Sequence, residues 1–350
     1  MAKKPPITPR SLILSLDYGG TKHTAGIVVK AKRNWLKRES VYSPAGADAK
    51  YDQATMLNLA RKLLSGVEGR LAAVGVSFGG AVNAAKGVVL LSHHIPGWEN
   101  THLRDLLQKE FGVPAAIEND AHCGAFGEFK FGAGQNCASL LYVTVSTGIG
   151  GGWILDGKIF PGADGTAGQI GHIVVRPGGA ECMCGKRGCL EAEASGTAIA
   201  KKMRELMRAN PPENCGAGVS SAVGARQAAA RAGRASPAPT MRRPEARATI
   251  QITGESVAAA ALKGDPLAME VMDDAAAMLG AGIGGAINLI NPERVILGGG
   301  VTKSGERWWR IVRETARANA LPEMRVDIQP ASLGDDAPLW GAVALAEKML

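Results

Sequence analysis

The sequence predicts an α/β protein of two domains, and three observations carry that expectation. Its 350 residues are too many for one small core and fit two domains of ordinary size. Short apolar runs that end in Gly-rich turns alternate with stretches of helical spacing, the pattern of an α/β chain. The device of apolar strand, acid or hydroxyl, Gly-rich turn and second strand occurs at 12–29 and returns at 140–155, which marks two related halves.

The elements follow in order. SLILSLDYGG is an apolar run that ends in Asp17, turns at Gly19 and Gly20, and continues as the strand HTAGIVV, so 12–29 reads as a hairpin. Residues 53–66 place Met56, Leu59 and Leu63 at helical spacing, with Gly66 as the stop. LAAVGVSFGG is a strand entering a Gly turn, VVLLS is another, and a helix over 103–110 ends before Pro114. AAIEND is a short strand with polar last residues, and AHCGAFGEF starts a helix directly after it. LLYVTVSTGIGGGWILDG is the second hairpin. Residues 210–247 lose the hydrophobic pattern and gain Pro, Ala, Arg and Ser, which predicts a surface insertion. Helical periodicity resumes over 256–290, RVILGGGV is a strand into a Gly turn, and WGAVALAEKML closes the chain as a helix.

Composition narrows the class. Hydrophobic residues are 46% and charged residues 21%, near globular averages, and no apolar run approaches the ~18 residues that span a bilayer. MAKKPPITPR has charges and prolines but no apolar signal-peptide core, so the expectation is a cytoplasmic protein with no membrane partner. The net charge is +8, but it is local. Residues 1–40 carry nine Lys and Arg against two acids, and 201–250 carry ten against three, leaving the rest net acidic. Neither basic stretch interleaves aromatics or shows a helix-turn-helix pattern, which argues against nucleic acid as a partner.

The chemistry concentrates in a few clusters. His172, Cys182, Cys184 and Cys189 are spaced H-x9-C-x-C-x4-C, three thiolates and an imidazole that complete the tetrahedron of a structural zinc site. Gly185 and Gly188 let the loop turn between ligands, and four protein ligands leave no open position on the metal. The turns DYGGTK (17–22), STGIGGG (146–152) and GGG (298–300) each follow an apolar strand. Backbone N–H groups at such turns bind phosphate oxygens; Thr21, Lys22 and Thr147 add donors, and Asp17 suits a hydrated Mg2+. Asp120 closes a strand beside Asn119, where it either acts as general base for a hydroxyl or caps the helix beginning at Ala121. Gly75-x-Ser77-x-Gly79 matches a nucleophile elbow, but a turn and a strand follow it, not the helix a hydrolase elbow needs. Gly280-x-Gly-x-x-Gly285 lies in a helical pattern, where small residues serve close packing.

DYGGTK, FGGAVN, PGWEN, ENDAH, STGIGGG, GQIGH, CMCGKRGCLEAEASG and ILGGGV occur in the order and spacing of the ROK family of repressors, open reading frames and sugar kinases. The chain resembles its glucokinase-like members from about residue 12 to 348, outside 210–247. The resemblance implies an actin-like, ribonuclease-H-like ATPase fold: a small α/β domain (11–118 plus about 336–350, after a tail at 1–10) and a large one (119–335), with a cleft between them. It implies that Asp17, Gly19, Gly20, Thr21, Lys22, Thr147 and Gly148 hold ATP phosphates and Mg2+, with Gly298, Gly299 and Gly300 near the adenosine. Gly80, Asn119, Asp120, His172 and Glu191 would bind sugar hydroxyls, Asp120 as general base and His172 serving both zinc and sugar. Where the family has a Glu three residues before that His, this chain has Gln169, which puts glucose itself in question. The implied activity is ATP-dependent phosphorylation of a hexose, glucose first. Mannose, fructose, N-acetylmannosamine and N-acetylglucosamine are rivals, and His93 and His94 bear on that choice. Sugar-sensing regulators of the family carry an N-terminal winged helix; ten residues before the first strand is the expectation against one here. A homodimer or homotetramer is implied as well.

Overall fold

A computed structural model describes residues 10–92, 95–209 and 252–350. The segment 210–247, His93 and His94 therefore lie outside the described residues. Two five-stranded sheets form the frame, and β5 (Ala81–Asn83) and β6 (Val88–Leu91) pair as a separate antiparallel ribbon. In the first, β1 (Ser11–Tyr18), β2 (Lys22–Val29) and β3 (Lys37–Tyr42) make an antiparallel meander, and β4 (Arg70–Phe78) and β7 (Ala115–Asn119) add in parallel on the other side of β1. In the second, β8 (Leu140–Val145), β9 (Ile149–Leu155) and β10 (Lys158–Ile159) repeat the meander, and β11 (Arg294–Gly298) and β12 (Asp327–Pro330) add in parallel beside β8. The strand orders, β3-β2-β1-β4-β7 and β10-β9-β8-β11-β12, are the same in both. The repeated hairpin in the sequence thus belongs to a repeated sheet, in the actin-like arrangement that the resemblance implies.

Each sheet has its own core. The first buries Leu12, Leu14, Leu16, Val74, Val76 and Ile117 against α1 (Ala49–Leu64) and α2 (Leu103–Phe111). The second buries Leu141, Val143, Val295 and Leu297 against α7 (Pro266–Ile290) and α8 (Glu306–Asn319). Buried His23 on β2 hydrogen-bonds Asp52 of α1 at 2.7 Å, fixing the first hairpin to its helix. The other faces are covered by α3 (Asp120–Phe131) and α9 (Ala337–Glu347), which cross each other. Phe126 of α3 packs on Leu140 and Tyr142 of the second sheet, while Trp340 and Val343 of α9 pack on Ile13 and Val28 of the first.

These crossings explain glycines that the sequence left ambiguous. A Cβ on Gly75 would lie 1.8 Å from the carbonyl oxygen of Ala342, and one on Gly341 would lie 1.8 Å from that of Cys123. The first glycine of the elbow-like motif is therefore there because the α9 backbone lies directly on β4. In α7, Gly280, Gly282 and Gly284 face Val312, Leu190 and Asn319 at 2.6–2.8 Å from where a Cβ would sit, as close helix packing requires. Gly75→Ala is expected to cost about 3 kcal/mol, since a backbone oxygen cannot rotate away. Thermal unfolding of the two proteins checks it.

Several boundaries differ from the sequence reading. The first helix starts at Ala49, because Asp48 caps it by accepting from Tyr51 N at 2.9 Å. The periodic run 256–290 is two helices, α6 (Gly254–Ala261) and α7; Gly264 at φ +85°, the cap Asp265 and Pro266 separate them. β3, β12, α4 (Leu190–Ala194), α5 (Gly196–Ala209) and α8 are elements the sequence reading did not name.

Candidate active site

The parallel strands β1, β4 and β7 run in register, so that Asp17 pairs Ser77 and Ser77 pairs Glu118, with Tyr18, Phe78 and Asn119 one step further on. Their carboxyl ends, the place where open α/β sheets bind ligands, bring three loops together. The first is the turn Gly19–Lys22, closed by Gly19 N donating to Lys22 O at 3.2 Å. The second is Gly79–Gly80, with Gly79 N on Tyr18 O at 2.8 Å. The third is Asn119–Asp120 at the start of α3.

Asp17 is partly buried and accepts from the hydroxyl of Ser77 at 2.7 Å. Burial pushes its carboxyl up to about 7; the Ser77 hydrogen bond and Lys22 oppose that, and the neighbouring Asp120 adds to it. The N-cap of α3 is Asn119, whose Oδ1 accepts from Ala121 N and His122 N. This corrects the capping alternative for Asp120: the helix starts at Asp120 itself, one residue earlier than expected, and its cap is already supplied. Asp120 Oδ1 accepts from Asn119 Nδ2 and from Ala121 N, both at 2.9 Å, and the same Nδ2 donates to Gly80 O at 3.0 Å. Gly80, Asn119 and Asp120 thus form one hydrogen-bonded group. Burial raises the Asp120 carboxyl against those donors and the nearby His122.

The second sheet contributes the matching turn. Ser146 N donates to Gly148 O at 2.9 Å, and the junction of α4 and α5 is tied to it by Gly196 N on Ser146 O at 2.7 Å. Glu191 of α4 accepts from Ile149 N at 2.9 Å and fills the space beside Gly148, where a Cβ would meet it at 2.5 Å. Thr147 is exposed at the tip. Gly298, Gly299 and Gly300 stand at the same end of the sheet, with Gly298 paired to Thr144 of β8. Gly299, at φ +90°, leaves no room for a side chain against Val145, whereas Gly300 faces open space. Thr147, Gly148, Glu191 and the three glycines are therefore one group. It meets the Asp120 helix where Gly150 approaches Ala121, at 3.3 Å from a Cβ position.

Gln169 precedes and His172 closes a single 3-10 turn at Ile170–His172, which Gly168 and Gly171 seat against Gly151 and Ile149. The Gln169 side chain is exposed. Behind it lie Cys182, Cys184 and Cys189, whose sulfurs and a His172 ring nitrogen are all within 4.8 Å of one another. Cys182 Sγ is 3.6 Å from His172 Nδ1, and Cys184 Sγ is 3.6 Å from Cys189 Sγ. A tetrahedron of Zn–S bonds of about 2.3 Å has S···S edges of about 3.8 Å, so the donor set fits such an ion. The donor chemistry fits too: burial and the neighbouring thiols push Cys189 up to about 12, a repulsion a divalent cation would relieve. Leu190 N on Ile173 O and Val175 N on Gly188 O, both 2.9 Å, zip the loop closed. Arg176 pins it to Glu193 and to Asp274 of α7.

Three polar residues at this site escaped the sequence reading. Ser77, rejected as a nucleophile, is fully buried and orients Asp17. Glu118 and His122 are buried together, with His122 Nδ1 at 3.1 Å from Glu118 Oε1 and Nε2 at 2.8 Å from Ala167 O. Ser77 stood out only as the centre of G-x-S-x-G, and Glu118 and His122 only as members of ENDAH; neither signal identifies a partner.

The chain matches the model of the ROK family over residues 13–349. It is 31% identical over 347 residues to a glucokinase of Streptomyces coelicolor, covering 96% of this chain and 98% of that one. The crystal structure of a ROK family glucokinase from Streptomyces griseus in complex with glucose and AMPPNP superposes with a TM-score of 0.77 at 30% identity, covering 97% and 100% of the two chains. This chain is also 31% identical over 286 residues to the DNA-binding transcriptional dual regulator NagC of Escherichia coli, covering 80% of this chain and 61% of the regulator.

Proposed function

The chain belongs to the ROK family, and from that and the geometry of the strand ends we propose that it is an ATP-dependent kinase of the terminal hydroxyl of a hexose, glucose first. The observation that carries the reading is the pair of carboxylates Asp17 and Asp120, close enough that Asp120 raises the proton affinity of Asp17, framed by Gly-rich turns with Thr21, Lys22 and Thr147. A phosphoryl transfer needs those parts: a base for the hydroxyl, donors for phosphate oxygens, and a carboxylate for the cation.

Asp120 accepts the proton as the sugar hydroxyl attacks the γ-phosphorus in line. Its Asn119 and Ala121 donors bond Oδ1, which leaves the other oxygen for the hydroxyl. Lys22, Thr21 and Thr147, with the amides of Gly19, Gly20 and Gly148, hold the phosphates, and Gly298–Gly300 give the adenosine room. Asp17 is the residue that would hold Mg2+, which supplies charge neutralisation on the β- and γ-phosphates when bound. Gly80, Asn119, Gln169, His172 and Glu191 place the sugar. Zn2+ would be held by His172 Nδ1, Cys182, Cys184 and Cys189, a closed set whose chemistry is structural, leaving His172 Nε2 for the sugar. Residues 11–118 with 336–350, and 119–335, would close as two domains and exclude water, since ATP hydrolysis is the competing reaction. No helix of the described residues is long and apolar enough to cross a membrane; the proposal includes a cytoplasmic homodimer or homotetramer acting on small molecules and not on nucleic acid.

The test is a coupled assay of ADP release with ATP and Mg2+ across glucose, mannose, fructose, N-acetylmannosamine and N-acetylglucosamine, with Asp120→Asn alongside. Turnover on one sugar that disappears in the variant supports the reading and names the substrate. A folded, zinc-loaded protein that turns over none of them refutes it. Gln169→Glu is expected to lower the KM for glucose about fivefold, the worth of one charge-assisted hydrogen bond of about 1 kcal/mol; initial-rate kinetics on the two proteins check that.

A further inference from the structure

We propose that His122 is a doubly donating imidazolium that ties Asp120 and the first turn of α3 to the 161–169 segment leading into Gln169, and so positions the sugar and sets the pH range over which Asp120 works. The inference rests on the kinase reading for its kinetic consequences, but not for the charge state. His122 is 1% exposed, and both of its ring nitrogens face acceptors. A carbonyl oxygen only accepts, so the 2.8 Å contact with Ala167 O requires a proton on Nε2. The 3.1 Å contact between Nδ1 and Glu118 Oε1 then needs a proton between them. Glu118 Oε1 also takes the N–H of Asn119 at 2.9 Å, which favours the carboxylate and leaves that proton on the ring.

The surroundings agree. Burial opposes a charged ring, but Glu118, Ala167 O and Asp120 outweigh it and raise the proton affinity of His122 above the ordinary histidine range. Among the described residues the charged groups facing it are Glu118 at the end of β7 and Asp120 on its own helix. β9 presents the backbone of Gly152, and the 161–169 segment presents the carbonyl of Ala167. That segment is closed by Ala167 N on Pro161 O at 3.0 Å and reaches β5 (Ala81–Asn83), where a Cβ on Gly165 would sit 3.1 Å from Val82 O. Ala167 is two residues before Gln169. His122 is thus a positioning residue: it holds the segment that carries a sugar contact, and its charge favours the carboxylate of Asp120.

The test has two arms. In 15N-labelled, zinc-loaded protein without substrate, long-range 1H–15N correlation at pH 7 is expected to show both His122 nitrogens protonated, the signal being assigned by its loss in His122→Gln. One bare nitrogen at pH 7 overturns the proposal, and this arm needs no turnover. In the kinetic arm, His122→Gln keeps one donor and loses the charge. It is expected to raise the KM for glucose about tenfold, as loss of a charged hydrogen bond does, and to move the acid limb of kcat/KM to higher pH. A variant that is less stable but has the wild-type acid limb and KM shows a merely structural residue. If His122→Gln does not fold, Glu118→Gln serves instead, assigning the ring signal by its shift, and one bare nitrogen in the wild-type ring at pH 7 still overturns the proposal. Absence of turnover in wild type would refute the kinase reading while the spectroscopic arm still decides the charge.

Discussion

Asp120→Asn is expected to lose about 10²- to 10⁴-fold in kcat, the range for removing a general base, while glucose and nucleotide bind nearly as before. Asn keeps an oxygen for the Asn119 and Ala121 donors, so the start of α3 survives and the loss falls on chemistry. Steady-state kinetics beside calorimetric binding of glucose separate the two, and a variant with unchanged kcat would remove Asp120 from the role. The pH dependence has a defined sign. Burial raises the Asp120 carboxyl above the ordinary carboxylate range, and the base works only when unprotonated. The wild-type kcat/KM is therefore expected to fall as pH drops through a value above that of a free Asp, and to be flat above it until another group titrates.

Stripping the metal site is expected to cost sugar handling more than nucleotide handling. A structural zinc contributes on the order of 10 kcal/mol to its loop, and without it the thiols raised by burial and by one another no longer draw 182–189 onto His172. The loop leads directly into α4, whose Glu191 holds the turn at Gly148–Ile149, so the disturbance reaches both His172 and Glu191. Cys182→Ser is expected to lose the metal and to drop kcat/KM for the sugar by about 100-fold, the cost of ångström-scale misplacement, with a smaller change in the KM for ATP. Metal analysis of untreated protein checks the site: about one zinc per chain is expected, and a folded protein with well under one equivalent would overturn it.

Much of the frame was legible because it is local. Asp17 could be placed at a strand end because Gly19 and Gly20 follow it within two residues, and the four metal-site donors could be grouped because 172–189 is one loop. The repeated hairpin announced two similar sheets for the same reason. Ser77 was rightly rejected as a nucleophile, since a turn and a strand follow it, but its bond to Asp17 was out of reach: the partner is on another strand, and only the β1–β4 register makes them neighbours. Gly75 and Gly341 had no local explanation, since their reason is the crossing of α9 over β4 and α3. β3, with its KRESVY exposed and partly buried residues, shows no alternation strong enough to announce a strand; it exists because β2 offers it an edge.

The sequence by itself determined where the candidate residues cluster: the carboxylates at strand ends, the Gly-rich turns and the cysteine-rich loop, all set by spacings of a few residues that turn and strand geometry convert directly into position. The tertiary structure alone decided what those residues do to one another. That Asp17 sits near Asp120 and is raised to about 7, that Asn119 and not Asp120 caps α3, and that His122 reaches a carbonyl 45 positions away in the chain all depend on strand register and helix crossing. Those arise from burying two apolar sheets around shared helices. Hydrophobic burial is non-directional, so a linear pattern shows that such faces will be covered but not which polar groups are brought together when they are.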